Sequence, residues 1–248
     1  MKFFGIIPAR YASTRFPGKP LADICSKTVI HRVYEQASKA LETVVVATDD
    51  DRIYDAVENF NGKVVMTRPD HKCGTDRCLE AYQAITTPMW RQQNDTDTVI
   101  INIQGDEPFI QPEQIETLMA CFDDPDTQIA TLVRPFTDQD SQADLENVNT
   151  PKVNWDTVTG KAKLFSRKVI AASDGKYYRH IGIYAFRADV LEQITKLPQS
   201  PLEIAERLEQ LRWLENGYTI RIGVTLTPTI GIDTPEDLEK AINWYKNS

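Results

Sequence analysis

Lys2-Phe3-Phe4-Gly5-Ile6-Ile7-Pro8-Ala9-Arg10-Tyr11-Ala12-Ser13-Thr14-Arg15-Phe16-Pro17-Gly18-Lys19-Pro20-Leu21 is the stretch on which the reading of this chain turns. Residues 3–7 have the composition of a strand buried on both faces, and they run straight into a loop crowded with cations. Arg10, Arg15 and Lys19 stand five and four residues apart, with hydroxyls at Ser13 and Thr14 and a glycine at Gly18 among them. Pro8, Pro17 and Pro20 narrow the backbone choices of the loop. That much like charge at one strand end repels itself. A polyphosphate relieves the repulsion, because guanidinium forks match phosphate oxygens and an ammonium adds a point charge. Taken alone, such a loop is equally well read as solvated surface. Its place beside the first strand of an alternating chain turns the reading toward a nucleotide site.

Further strand-like runs fall at 43–47, 63–67, 98–103, 129–133 and 181–186, with β signals near Val153, at 163–165 and at 220–224. Helical periodicity occupies 29–41, 51–59, 75–85, 112–122, 189–194, 202–215 and 235–245. Near-continuous apolar strands separated by helices predict an α/β fold, its sheet mostly parallel and flanked by helices. Ligands of such sheets collect beyond the carboxyl ends of the strands, which groups the loops after Ile7, Thr67 and Ile103. The alternation breaks after about Thr150. Residues 151–186 are expected to form an antiparallel ribbon inserted into a single domain over 1–248, capping a site or making a subunit contact. The polar stretch 86–97 reads as a surface connection.

The chain has 248 residues, 41% of them hydrophobic and 26% charged, with a formal net charge of −8. An acidic protein with a small basic loop suits a compact anion and argues against nucleic acid or an anionic membrane as partner. No apolar stretch approaches bilayer length and no signal segment opens the chain, so a cytoplasmic location is expected. Cys25, Cys73, Cys78 and Cys121 lack metal-ligand spacing, and with His31, His71 and His180 alone beside them a zinc site is not expected.

Two acids invite a metal. Asp106 follows Gln104 and Gly105 immediately after an apolar strand, where a carboxylate can hold Mg²⁺ beside a phosphate. A plain Gly-Asp turn explains it as well. In Asp233-Thr234-Pro235-Glu236-Asp237, Thr234 suits an N-cap, Pro235 the first helical position and the acids the first turn, which leaves Asp233 without a local role. Cys73-Gly74-Thr75-Asp76-Arg77 reads as a helix start with Thr75 as N-cap; its amides and Arg77 would attract an anion. Asp49-Asp50-Asp51 contains the Asp-x-Asp of many glycosyltransferases, but capping of the following helix accounts for these acids. Glu203 and Arg207 are placed to pair along one helix.

In order along the chain, these segments resemble the 3-deoxy-D-manno-octulosonate (Kdo) cytidylyltransferases. The resemblance rests on 7–20, 46–49, Met66-Thr67 with 74–77, 102–108, 165–167, 180–184, 208–212 and 233–238, nearly end to end. The Ala12-Ser13-Thr14-Arg15 form of the loop separates it from the sialic-acid branch, which usually shows Gly-Ser-Lys-Gly. It implies a Rossmann-like nucleotidyltransferase fold, Mg²⁺, CTP and an eight-carbon 3-deoxy-2-ulosonic acid as substrates, a homodimer, and a product used for lipopolysaccharide. Arg10, Ser13, Arg15 and Lys19 would act on the phosphates, Pro8, Ala9, Gly74, Thr75 and Arg77 would border the nucleotide, and Asp106 and Asp233 would hold the metal. Gln104, Arg167, His180, Tyr184, Glu209 and Gln210 would take the sugar acid. After Arg167, relatives usually continue Ile-Pro-aromatic-x-Arg. Here 168–179 is short and lacks that arginine, so Lys168, Lys176 or Arg179 would replace it. Other readings are another ulosonic acid (8-amino-Kdo or a sialic acid), a metal-dependent glycosyltransferase using Asp49 and Asp51, and a non-catalytic nucleotide-sugar binder.

Overall fold

The computed structural model describes residues 1–13, 15–86 and 97–247, so Thr14 and nearly all of 86–97 lie outside the described residues. The chain separates into two compact units, Met1–Ile115 with Thr229–Ser248, and Glu116–Pro228. The sequence pattern had suggested one domain with an insertion at 151–186; that segment belongs to the second unit together with its flanks.

The first unit alternates β1 (Lys2–Ala9), α1 (Val29–Ala40), β2 (Thr43–Thr48), α2 (Asp51–Asn59), β3 (Val64–Met66), α3 (Gly74–Ile85) and β4 (Thr98–Asn102). The strands lie in the order β3-β2-β1-β4 and every pair is parallel. Ile6, Ile7, Val45, Val46, Ile100 and Ile101 are buried in consecutive pairs, as strands covered on both faces require. The helices bury Ile30, Val33 and Ala37 from α1 and Ile53 and Val57 from α2, spaced three or four apart. Each such side chain contributes about 1.5–3 kcal/mol by leaving water. Thr28 caps α1 by accepting from His31 N.

The boundary between the units falls within α4 (Pro112–Ala120). The second unit continues with β5 (Ile129–Pro135), α5 (Gln142–Glu146), β6 (Lys152–Asp156), β7 (Lys161–Ser166), β8 (Tyr178–Arg187), α6 (Ala188–Ile194), α7 (Pro201–Glu206), α8 (Gln210–Glu215) and β9 (Ile220–Val224). Among the described residues of this unit β5 pairs with β9 in parallel, while β8 with β5, β8 with β6, β6 with β7 and β7 with β9 are antiparallel. A mostly parallel sheet therefore describes the first unit and not the second. The chain then returns to the first unit as α9 (Pro235–Asn247).

One expected helix is two. Residues 202–215 divide at Arg207, which adopts φ 54°, into α7 and α8. Glu203 does not pair with Arg207; it closes a capping box on Ser200 and lies 3.4 Å from Arg212 Nε. Arg212 also donates to Glu209 at 2.8 Å and to the Leu197 carbonyl at 3.1 Å. One guanidinium thus joins both helices to the preceding loop, and the chain must break between them to let it do so.

Candidate active site

β1 stops at Ala9 and the cationic loop folds around Tyr11. The Tyr11 carbonyl accepts from Ser13 N and Gly18 N, both at 2.9 Å. Gly18 has φ 73°, a left-handed conformation suited to glycine, and a Cβ there would press on the Tyr11 ring at 3.1 Å. The Arg52 guanidinium covers the same ring 3.3 Å from its centroid. Phe16 tucks against a cluster of Ile24, Val29, Phe109, Ile232 and Ala241. So anchored, the loop lines a pocket of about 410 Å³ with Pro8, Ala9, Arg10, Ser13, Arg15 and Lys19 on one side and Gln104, Gly105, Asp106 and Asp233 completing it. Nine residues singled out from the sequence meet here. Ala12, Pro20 and Gly105, not singled out as site residues, line it too.

The two acids are brought together by the backbone. Ile232 N donates to the Asp106 carbonyl at 2.9 Å, while Ile232 itself is sealed in the apolar cluster beneath α9. Asp237 accepts from Asp233 N and Thr234 N, and Thr234 Oγ1 accepts from Asp237 N. The helix start is satisfied by Thr234 and Asp237, and the Asp233 carboxylate is left to face Asp106. Lys19 Nζ bridges them, 2.6 Å from Asp106 Oδ2 and 3.3 Å from Asp233 Oδ1, and Arg15 Nη2 reaches Asp233 at 3.0 Å. Beside them Glu107 is pushed up to about 8, by burial first and then by the charges of Asp106 and Asp233. Its Oε2 has no hydrogen-bonding partner among the described residues.

Gly105 is fixed by close approach: a Cβ there would stand 2.8 Å from the Pro8 carbonyl oxygen. Gly105→Ala is therefore expected to force β1 and the Asp106 loop apart. Turnover should drop by about 10²-fold, the scale of an ångström-size misplacement, with about 1–3 kcal/mol of stability lost. Rate measurement and urea unfolding on one preparation check both.

Gly74 does not line the pocket but packs against Pro8, which does. A Cβ on it would lie 3.3 Å from Pro8 Cγ, so α3 begins against the pocket wall. The helix starts one residue earlier than expected, with Cys73 and not Thr75 at the N-cap; Thr75 is buried. Arg77 also departs from expectation. It is 1% exposed, bonded to Thr67 Oγ1 and, at 2.7 Å, to Asp49 Oδ2. It holds the ends of β2 and β3 to the start of α3 and has no surface to offer a nucleotide. Asp49, which the sequence placed among capping acids, is its counter-ion, and the cap of α2 is Asp50.

In the second unit β8 gathers His180 and Tyr184. An irregularity sets His180 opposite Val133 and Tyr184 opposite Thr131, so five residues of β8 lie against three of β5, and the two ring centroids are 5.2 Å apart. Thr131 Oγ1 lies 2.9 Å from His180 Nε2 and donates to the Ile183 carbonyl at 2.7 Å. Burial pushes His180 down to about 3 and Tyr184 well above its ordinary value, with the Glu209 charge adding to the latter. Both are neutral hydrogen-bonding groups at pH 7. Gln210 opens α8 and is buried. Trp213, missed in the sequence reading although it follows Glu209 and Gln210 by one helical turn, stands edge-on to Tyr184 at 5.1 Å.

A depressed histidine makes stability depend on pH. An unfolded chain protonates His180 near pH 6.5 and the folded chain only near 3, so stability falls as pH drops through that window. His180→Gln should lessen the loss between pH 7 and 4.5 by roughly 2–3 kcal/mol, read as the difference in urea midpoints between variant and parent.

The remaining cations separate. Arg167 donates to the carbonyls of Glu206 at 2.7 Å, Val148 at 2.8 Å and Arg207 at 3.4 Å. These partners are neutral, so the guanidinium keeps its charge in a fixed pose. Arg179 alternates with His180 along β8, projects to the other face, and shares Asp140 with Arg134 over the Phe136 ring. That placement corrects the expectation that Arg179 could stand in for the missing arginine beside His180. Lys168 and Lys176 are exposed. The short segment itself is ordered by Ala172 N to the Lys176 carbonyl at 2.8 Å, Ser173 N to the Trp155 carbonyl at 3.0 Å, and Tyr178 to Asp174 at 2.9 Å.

Among the described residues no helix is long and apolar enough to cross a membrane. The family model described as cytidylyltransferase matches residues 4–222. A 3-deoxy-manno-octulosonate cytidylyltransferase of Parabacteroides distasonis is 57% identical over 258 residues, spanning 100% of this chain and 99% of that protein. The namesake from Phocaeicola vulgatus is 59% identical over 259 residues, with 99% and 98% covered. Among solved structures, a CMP:2-keto-3-deoxy-manno-octonic acid synthetase complexed with CTP superposes with a TM-score of 0.88 at 41% identity, covering 100% of this chain and 99% of that one. The loop, the carboxylate pair and the whole length of the alignment agree: this chain belongs to the cytidylyltransferase family, among the 3-deoxy-manno-octulosonate cytidylyltransferases.

Proposed function

We propose that the protein activates Kdo: CTP and 3-deoxy-D-manno-octulosonate give CMP-Kdo and diphosphate. The observation that carries this reading is the pocket in which Arg10, Ser13, Arg15 and Lys19 face Asp106 and Asp233, in a chain of this family. The anomeric hydroxyl oxygen bonds to the α-phosphorus of CTP, the bond from that phosphorus to the bridging oxygen breaks, diphosphate leaves, and the hydroxyl proton passes to solvent. No protein nucleophile is required. Arg10, Arg15 and Lys19 neutralise the triphosphate and the departing diphosphate, and Ser13 donates to a phosphate oxygen; such transfers rest on positioning and charge stabilisation.

The donor set fits Mg²⁺: two hard carboxylates converge on the Lys19 ammonium, Asp233 meeting Arg15 as well, and a divalent ion beside phosphate commonly takes one or two protein carboxylates. Asp106 and Asp233 would hold the ion, which when bound neutralises phosphate-oxygen charge and lowers the pKa of the attacking hydroxyl. Asp49 is committed to a buried arginine, which speaks against the glycosyltransferase reading.

For the sugar acid we assign, in the second unit, Arg167, His180, Tyr184, Glu209 and Gln210. Neutral His180 and Tyr184 hydrogen-bond hydroxyls, Glu209 and Gln210 read others from the start of α8, and the charge of Arg167 attracts the carboxylate. A homodimer working in the cytoplasm, ahead of lipopolysaccharide core assembly, completes the proposal. The shortened segment 168–179 keeps one second reading in play, a related ulosonic acid. Diphosphate release should be measured with each nucleoside triphosphate against Kdo, 8-amino-Kdo and sialic acid. CTP with Kdo is expected to be fastest by a wide margin. A preference for 8-amino-Kdo would move the assignment within the class, and no release with any acid would end it.

A further inference from the structure

A second hollow in the first unit, of about 630 Å³, shares no lining residue with the phosphate pocket. Its volume lies in the range of small-molecule sites. Aromatic residues contribute to its lining. His31 stacks on Phe60, centroids 4.2 Å apart and planes within 12°, with Tyr34 beside them. Phe109 stacks with Tyr245 at 6.1 Å and 16°. The Arg32 guanidinium lies 4.0 Å above the Tyr245 ring and is held there by the Ile24 carbonyl. Lys27 and Lys39 add two cations, and Glu35, paired with Lys27 at 2.6 Å, is the single acid in the lining.

Three fixed cations to one acid is a local excess in a chain whose net charge is −8. Aromatic side chains in the lining offer stacking to a flat ring, and the cations offer charge-assisted bonds to an anion. We propose that this groove binds a planar aromatic anion of nucleoside monophosphate size, its base against the aromatic side chains and its phosphate drawn to Lys27, Arg32 and Lys39. The groove is not isolated from the catalytic carboxylates along the chain. Phe109 follows Asp106 by three residues, and Tyr245 lies on the helix that opens after Asp233.

The test uses the whole protein with its phosphate pocket filled by a non-hydrolysable CTP analogue and Mg²⁺. AMP, GMP and CMP are titrated in turn, and inorganic phosphate serves as the probe without a ring. Trp244, whose ring lies 4.7 Å from Phe109, supplies a fluorescence signal that Trp244→Phe should remove. Saturable binding of at least one nucleotide is expected, weakened about 10-fold or more by Tyr245→Ala and by Lys39→Glu. Tyr245 and Lys39 are exposed, so these variants should fold. The proposal is overturned if no nucleotide saturates at millimolar concentration, if the groove substitutions leave binding intact, or if phosphate alone binds equally well. A Trp244 signal that follows protein concentration without added nucleotide would instead make the groove a contact between copies of the chain.

Discussion

Turnover of Lys19→Ala at saturating CTP is expected to fall by about 10²-fold or more, the scale of deleting one preorganised charge donor, while the fold survives. Lys19 reaches Asp106 at 2.6 Å and Asp233 at 3.3 Å with only 12% of its side chain exposed, so its charge sits in a partly desolvated pocket. Removing it costs twice. The phosphates lose a cation, and two carboxylates face each other across the gap with Arg15 alone to balance them. Added Mg²⁺ should recover part of the second loss, because the two carboxylates would regain a cation, and little of the first. Lys19→Arg is expected to recover less than a charge count suggests, since a guanidinium fork is a poor replacement for a point charge between two acids. Near-normal turnover in a folded Lys19→Ala protein would take the residue out of the mechanism.

The second large effect concerns the acids. Asp106→Asn and Asp233→Asn preserve shape and remove the charge that a divalent ion requires, and each should abolish most activity along with tight Mn²⁺ binding in a titration of the protein alone. Asp49→Asn is the contrasting case. It leaves Arg77 buried without its counter-ion, which should cost about 3–5 kcal/mol of stability with the metal requirement unaltered. Asp51→Asn, at an exposed first turn, should do little to either measurement. If Asp49→Asn lost Mn²⁺ binding and Asp106→Asn kept it, the metal site would have been placed on the wrong strand.

The difference between these acids shows where reading a sequence stops. Asp49 and Asp106 each follow an apolar strand, and Asp49 and Asp233 each stand just before a helix start. Pairing Asp106 with Asp233 rested on Asp233 having no local task, and on the family resemblance. The contacts that bring the two residues near each other, Ile232 N on the Asp106 carbonyl and Lys19 between the carboxylates, link residues far apart in the chain. Nor could a local signal have revealed that Asp49 and Arg77 neutralise each other inside the protein. Helix propensity favoured a single element over 202–215, and a tertiary demand, Arg212 reaching Glu203, Glu209 and Leu197 together, broke it at Arg207.

What the amino-acid sequence determined by itself were the features governed by neighbours in the chain. These are the buried parallel strands of the first unit, set by consecutive apolar residues, the helix start at Thr234, and the cationic loop delivered to the end of β1. The tertiary structure alone decided which face a side chain joined and what it met there. Arg179 and His180 are adjacent in sequence, yet strand alternation sends one to Asp140 and the other to Tyr184. The second unit became largely antiparallel because β8 returns along β5, a pairing set by burial of both strands and not by any pattern within either one. Local propensities act over a few residues, whereas the desolvation of an arginine or a carboxylate is set by whatever packs around it.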